Sequence, residues 1–325
     1  MIISRTPLRV SFVGGGTDLP SFCIKERGAV ISTSIQKYVY IVVHPSFDRK
    51  NLIAYSKIEK TNNVDEITNA RVKEAMKLTG ITKGIEIHSI AEVPAGTGMG
   101  SSSSFTVGLL NALYAFQEKN VNAEKLAREA ANLEINTLKE PIGKQDHYAV
   151  AFGGFNKIEF IGDEVKVKPL IFKKSVKKEL EGNLLLFYLG GERTSSSILI
   201  EQNNNIKNDK KYFNILLNMR DLADEAENDL LNNDLNKFGE LLHKNWILKK
   251  QLSNRVTNSE IDRYYDKALK AGAKGGKLLG AGGTGFLLIY AEPNKQNLVR
   301  KALEDLREIE LKFDSDGSKI IYYNI

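Results

Sequence analysis

The sequence predicts an α+β protein built as two lobes. Its 325 residues exceed what one average domain of about 100–200 residues holds. Both halves interleave short β-rich runs with helical stretches, and three glycine clusters fall at the ends of strand candidates. We place the lobes at residues 1–175 and 176–325, because Lys173, Lys174, Lys177 and Lys178 mark a solvated connection between them.

In the first lobe, residues 8–13, 29–35 and 38–43 are branched or aromatic and read as strands. Gly14-Gly15-Gly16 and the 34–37 region divide them. Residues 64–78 put Val64, Ile67, Val72, Ala75, Met76 and Leu78 on one helical face, and residues 85–90 alternate as a strand. The densest feature follows, Pro94-Ala95-Gly96-Thr97-Gly98-Met99-Gly100-Ser101-Ser102-Ser103-Ser104, opening a helix that runs to about Phe116. A second helix spans 123–138, and Gly153-Gly154 precedes a strand pair at 155–161 and 165–170.

The second lobe begins with a strand at 184–189. Residues 195–270 are mostly helical, with 202–208 a surface loop or a frayed helix end. Strands near 277–279 and 285–290, a helix over 295–309 and a last strand at 320–323 complete it.

Composition narrows the function. A hydrophobic fraction of 42% with 26% charged residues suits a packed globule and excludes disorder. Uninterrupted apolar runs stay far short of the roughly 20 residues a membrane span needs. The opening residues lead straight into a Gly-rich turn, so no secretory leader is expected. Cys23 is the only cysteine and fits a reducing compartment. The net charge of +6 is thin, dispersed and without interleaved aromatics, which argues against nucleic acid. A soluble cytoplasmic enzyme or binding protein is expected.

The 94–104 loop carries the chemistry. Glycines remove Cβ obstruction, so backbone N–H groups converge on an anion, and the first helical turn adds free N–H groups and the helix dipole. Ser101 to Ser104 can cap the helix, bind phosphate oxygens or reach a phosphate-bound Mg²⁺. Neither a Walker A pattern nor a G-x-G-x-x-G after a strand occurs. Gly280-Ala281-Gly282-Gly283-Thr284-Gly285 and Gly14-Gly15-Gly16-Thr17-Asp18 are further places where backbone can approach a ligand closely. His44, His88, His147 and His243 show no metal spacing, and His147 is positioned in sequence to orient its neighbour Asp146. Trp246, among Leu241, Leu242, Leu248 and Leu252, reads as core.

Taken in order, Pro7-Leu8-Arg9-Val10 with Gly14 to Asp18, then Pro94 to Ser104, then Gly280 to Gly285, resemble the three motifs of the GHMP kinases. The resemblance spans nearly the whole chain. It implies a two-lobed GHMP kinase fold, with a first lobe like ribosomal protein S5 domain 2 and a ferredoxin-like second lobe. It also implies ATP and Mg²⁺ as cofactors, met in the cleft between the lobes.

Residue by residue, the resemblance implies a nucleotide site at Pro94, Gly96, Thr97, Gly98, Met99, Gly100, Ser101, Ser102 and Ser103, with Gly282 and Gly283 from the third cluster. Ser101 or Ser102, with Glu134, would hold Mg²⁺. Asp146, twelve residues beyond Glu134, would be the catalytic base, and Arg9 the cation beside it. Phosphoryl transfer needs such a group to take the acceptor's proton and a cation to steady developing charge. Asp18 and Thr17 match substrate positions, a carboxylate being able to accept from two vicinal hydroxyls. Lys144 is the second candidate near the base and faces either it or the substrate.

Within the family the first motif is most similar to the D-glycero-D-manno-heptose 7-phosphate kinases. That branch phosphorylates the anomeric hydroxyl to give the 1,7-bisphosphate, toward a GDP-activated heptose for surface polysaccharide. A distal phosphate needs its own cation, and Arg193 in Gly190-Gly191-Glu192-Arg193-Thr194-Ser195 is the candidate. Two alternatives stay open: a kinase of a free sugar such as fucose, and a sugar or nucleotide sensor without catalysis. The expected partners are a sugar phosphate and ATP, with no nucleic acid or membrane, in a monomer or homodimer.

Overall fold

The computed structural model describes residues 1–191 and 196–324. The first lobe runs β1 (Ile2–Val13), α1 (Pro20–Cys23), β2 (Gly28–Pro45), β3 (Asn51–Ala54), β4 (Ile58–Thr61), α2 (Ala70–Thr79), β5 (Ile85–Ala91), α3 (Ser101–Phe116), α4 (Ala123–Asn132), α5 (Gln145–Phe152), β6 (Phe155–Ile161) and β7 (Glu164–Pro169). The second runs α6 (Lys174–Gly182), β8 (Leu184–Tyr188), α7 (Ser196–Asn208), α8 (Lys210–Leu231), α9 (Phe238–Lys250), α10 (Ser259–Lys270), β9 (Gly275–Leu278), β10 (Phe286–Tyr290), α11 (Pro293–Ala302) and β11 (Arg307–Ile309). A last strand, β12 (Lys319–Tyr323), follows. No helix among the described residues is long and apolar enough to cross a membrane.

Two sheets organise these elements. The larger has the order β12-β1-β2-β5-β3-β4, with β6 also on β2 and β7 on β6. The smaller is β11-β8-β10-β9, antiparallel throughout. The last strand departs from the expected division at 175/176, because β12 leaves the second lobe to pair with β1 from Ile2 to Arg5. One apolar core runs from Val10, Phe12 and Ile31 through Leu110 and Leu113 to Leu186 and Leu288, so both sheets share it. Trp246 lies fully buried in a second cluster with Tyr265 and Leu287.

Several elements differ from the sequence expectation for identifiable reasons. Residues 29–35 and 38–43 form one strand, β2, whose register slips between Pro7 and Leu8 of its partner. The 34–37 break is therefore an irregularity within a strand. The helix expected from Val64 starts at Ala70, where the Asn69 side chain caps the Val72 N–H; residues 64–66 are a 3₁₀ turn. Residues 202–208 stay helical within α7, held by buried Gln202 and Ile206. The helix expected to reach 309 stops at Ala302, and residues 307–309 instead pair with β8. Helices α5 and α6 and strands β3 and β4 have no counterpart in the sequence reading.

Candidate active site

A cleft of about 890 Å³ lies between the lobes. The inner part of β1, the 94–104 loop, the start of α3, the 143–146 turn, α9 and the third glycine cluster all contribute to its wall. Mixed polar and apolar walls around a large cleft are the usual setting of a small-molecule site.

The loop is shaped by contacts only glycine permits. Gly98 has φ +84°, and a Cβ there would stand 2.8 Å from the Leu279 carbonyl carbon and 3.0 Å from Gly280 Cα. The 94–104 loop and the third glycine cluster thus meet backbone to backbone. Gly100, at φ +76° and ψ +22°, is the residue before α3 and supplies no side-chain cap. A Cβ on Gly100 would press on Arg9 Cγ at 3.2 Å. The Ser104 hydroxyl is spent on the Pro7 carbonyl at 2.8 Å, and that of Ser102 on Glu134 at 3.0 Å. Uncapped N–H groups at a helix start beside a bare loop are suited to an anion.

Arg9 and Asp146 form a two-point pair. Arg9 Nε donates to Asp146 Oδ1 and Nη2 to Oδ2, each at 2.7 Å, while Nη1 donates to the Gly98 carbonyl at 2.7 Å. The Arg9 side chain is 5% exposed and that of Asp146 24%, so the pair is shielded yet open to the cleft. The Arg9 backbone N–H also donates to Met99 O at 3.0 Å. Arg9 therefore fixes the carboxylate and the loop in one frame. Asp18 stands beside them, with Oδ1 accepting from Gln145 Nε2 at 2.8 Å and Oδ2 from the Gln145 backbone at 3.0 Å. Burial raises the Asp18 pKa, the Gln145 N–H opposes this, and the charge of Asp146 adds to the rise.

Glu134 sits on a π-helical turn, Leu133–Thr137, that continues α4. The extra residue in that turn changes the direction of the side chain. Its Oε1 accepts from Arg71 Nε at 2.9 Å, Ser102 Oγ at 3.0 Å and the Thr106 hydroxyl; Oε2 meets His147 Nε2 at 2.9 Å. Burial opposes the charge, but His147, Arg71 and Thr106 outweigh it and hold the carboxyl well below its usual range. His147 is thus partnered with Glu134, contrary to the expectation that it orients Asp146. Neighbours in a helix point about 100° apart, which sends the two side chains to different faces. A serine hydroxyl beside an ionised carboxylate, next to the loop, is a hard-oxygen donor set that fits Mg²⁺.

Other sequence-derived positions fall elsewhere. Thr17 is fully buried, its hydroxyl shared between the carbonyls of Gly14 and Ala29 and accepting from the Ala29 N–H, so it builds the turn and does not line the cleft. Lys144 turns outward to Asp163, at 3.1 Å, and meets neither Asp146 nor the cleft. Gly96, Gly98, Gly100, Ser101, Ser102, Ser103 and Gly282 line the cleft, whereas Pro94, Thr97, Met99 and Gly283 do not. Thr97 ties back to the Pro94 carbonyl at 2.9 Å, Met99 is buried in the core, and the Gly283 N–H is taken by Val256 O at 2.9 Å. Arg193 lies outside the described residues. Sequence reasoning missed Gln145, Arg71, Lys249 and Lys277, all in the cleft wall. Lys277 alone left a usable trace, as a charge inside an otherwise apolar strand next to a glycine cluster.

A helix-start anion loop joined through an arginine to a carboxylate defines a phosphotransferase cleft. The comparisons with known proteins agree. Residues 67–154 match the GHMP kinases N terminal domain and residues 226–308 the GHMP kinases C terminal region. The chain is 30% identical over 318 residues to the D-glycero-alpha-D-manno-heptose 7-phosphate kinase of Campylobacter jejuni, covering 93% of each. It is 26% identical to the galactokinase of Pyrococcus furiosus, covering 96% of this chain and 94% of that one. Its fold matches the crystal structure of a D-glycero-D-manno-heptose 1-phosphate kinase from Bacteroides thetaiotaomicron, at a TM-score of 0.82 and 24% identity over 100% of both chains. The chain belongs to the GHMP kinase family. It is an ATP-dependent carbohydrate kinase with the two-lobed fold of that family.

Proposed function

We propose that the chain transfers the γ-phosphoryl group of ATP to the anomeric hydroxyl of D-glycero-D-manno-heptose 7-phosphate, giving the 1,7-bisphosphate for an activated surface-polysaccharide sugar. The likeness to the Campylobacter kinase supports the sugar. The observation that carries the chemistry is Arg9 bridging Asp146 to Gly98 of the loop, because it sets a proton acceptor at a fixed distance from the nucleotide phosphates.

In this reading the uncapped start of α3 and the bare glycines of the loop bind the phosphates. Asp18 accepts from sugar hydroxyls, each of its oxygens keeping a lone pair beyond the Gln145 bonds. Asp146 takes the proton of the attacking hydroxyl, a contribution of about 10²–10⁴-fold. Ser102 and Glu134 would hold Mg²⁺, which when bound neutralises charge on the phosphate oxygens. The compartment is the cytoplasm, where ATP and sugar phosphates are found.

The test is ADP release with ATP and Mg²⁺ on heptose 7-phosphate, fucose, galactose and mannose, with Asp146→Asn as control. Turnover confined to the heptose phosphate, and lost in the control, is the expected result. Turnover only on a free hexose would sink the proposed substrate and leave the kinase.

A further inference from the structure

Two lysines unused so far stand in the cleft wall. Lys277, from β9, is 1% exposed, and its Nζ donates to the carbonyls of Ser11 at 2.7 Å and Phe12 at 3.0 Å. Lys249, in the last turn of α9, is 6% exposed, and its Nζ donates to the Gly280 carbonyl. Neither makes an ion pair among the described residues. Lys277 is committed to β1 and works as a strut. Lys249 spends one of three donors, which leaves two for a ligand.

Its place in the cleft says which ligand. Gly280, its acceptor, packs on Gly98, the loop residue whose carbonyl Arg9 holds. The titratable and charged groups acting on it are Arg9 from β1, Asp18 from the turn after β1, Asp146 from α5 and Lys277 from β9; α8, which also packs on α9, adds none. Nζ therefore stands where the nucleotide loop, the base and the sugar carboxylate converge. Arg9 commits three of its five N–H donors to Asp146 and Gly98 and its charge to the Asp146 carboxylate, whereas Lys249 has no such ion pair among the described residues. A buried ammonium with spare donors and no carboxylate of its own is stabilised by an anion.

We propose that Lys249 is a further catalytic residue, whose Nζ donates to a terminal oxygen of the phosphoryl group as it is transferred. This rests on the kinase reading. The acceptor oxygen bonds to the γ-phosphorus while the bond from that phosphorus to the bridging oxygen breaks. ADP keeps that electron pair, the hydroxyl proton passes to Asp146, and Lys249 emerges unchanged. Burial, with the charge of Arg9 adding to it, lowers the Lys249 pKa to about 8, so the ammonium is present at neutral pH and fades above it.

Lys249→Met and Lys249→Arg, with melting curves as a check on folding, test the idea. We expect Lys249→Met to lower kcat about 100-fold, with KM for ATP and sugar within about threefold, and Lys249→Arg to recover at least about tenfold of that loss. The wild-type kcat/KM should fall above about pH 8, and that limb should move upward in Lys249→Arg. A kcat within about threefold of wild type in Lys249→Met, or a raised sugar KM at unchanged kcat, overturns the proposal; the second result would put the lysine on a distal phosphate. A parallel measurement needs no acceptor sugar: aluminium fluoride, a mimic of the phosphoryl group in flight, should tighten MgADP binding in wild type and not in Lys249→Met. Inactivity of the wild type on every sugar would sink the acceptor reading alone. Equal tightening in both proteins would sink Lys249.

Discussion

Lys277, in a strand of the second lobe, donates to the Ser11 carbonyl of the first lobe at 2.7 Å. The same Nζ reaches Phe12 O at 3.0 Å, where the pairing of β1 with β2 slips; burial pushes its pKa well below the usual lysine range, and the neutral amine still donates both bonds. Losing this strut strands buried acceptors at the lobe junction. Lys277→Met should therefore lower unfolding free energy by about 1–3 kcal/mol. Urea unfolding measures it, and a variant as stable as wild type would show that water replaces the Lys277 donors without loss.

Removing either member of the Arg9–Asp146 pair should have separable effects. Asp146→Asn keeps the Arg9 bond to Gly98, so kcat should drop about 10²–10⁴-fold with the KM for ATP little changed. Arg9→Met frees the loop as well, and should raise the KM for ATP about tenfold in addition. Steady-state kinetics on both variants decides this. Identical profiles would mean that Arg9 does not position the loop.

Gly98→Ala puts a methyl group against the Leu279 backbone, 2.8 Å from its carbonyl carbon, at a φ of +84°. Neither wall can yield without moving the third cluster. We expect about 2 kcal/mol of destabilisation and an ATP affinity at least about tenfold weaker, read by calorimetry. Normal ATP affinity in the folded variant would remove the loop from the nucleotide site.

Lys249 also makes stability depend on pH. Its pKa is about 8 in the folded protein against 10.5 for an ordinary lysine, so between those values the unfolded chain binds more protons. Stability therefore rises as pH increases through that window. Lys249→Met lacks this gain. It should be more stable than wild type by about 3 kcal/mol at pH 7, and the gap should close toward pH 10. A gap that does not change with pH would contradict the depressed lysine.

Much of the site was legible because its chemistry is local. The 94–104 glycines and serines lie in a short motif whose residue types point to an anion, and Arg9 and Asp146, singled out through the resemblance, are brought together by the fold. Roles set by packing were not legible. Thr17 matches a substrate motif, yet its hydroxyl is consumed by the backbone that makes the turn. Lys144 and His147 flank Asp146 closely in sequence, and the α5 helix turns both away from it, one to Asp163 and one to Glu134. Lys249 lies in a Lys-Lys pair at a helix end, which reads as solvated until α9 packs against the third cluster. Likewise, β2 reads as two strands because only its successive partners, β6 and β5, reveal that it continues through.

The pairing of β12 with β1 bears on how the chain is made. Ile2 to Arg5 find their outer partners at Tyr323 to Lys319, so this edge of the larger sheet stays bare until residues 319–323 have left the ribosome. A fragment cut at 175 would keep that open edge permanently, with unpaired backbone groups ready to recruit a neighbouring molecule. It should come out of expression as aggregates, and a 319–323 strand supplied on a linker would close this edge while the core face covered by Leu186, Phe238 and Leu288 stays bare.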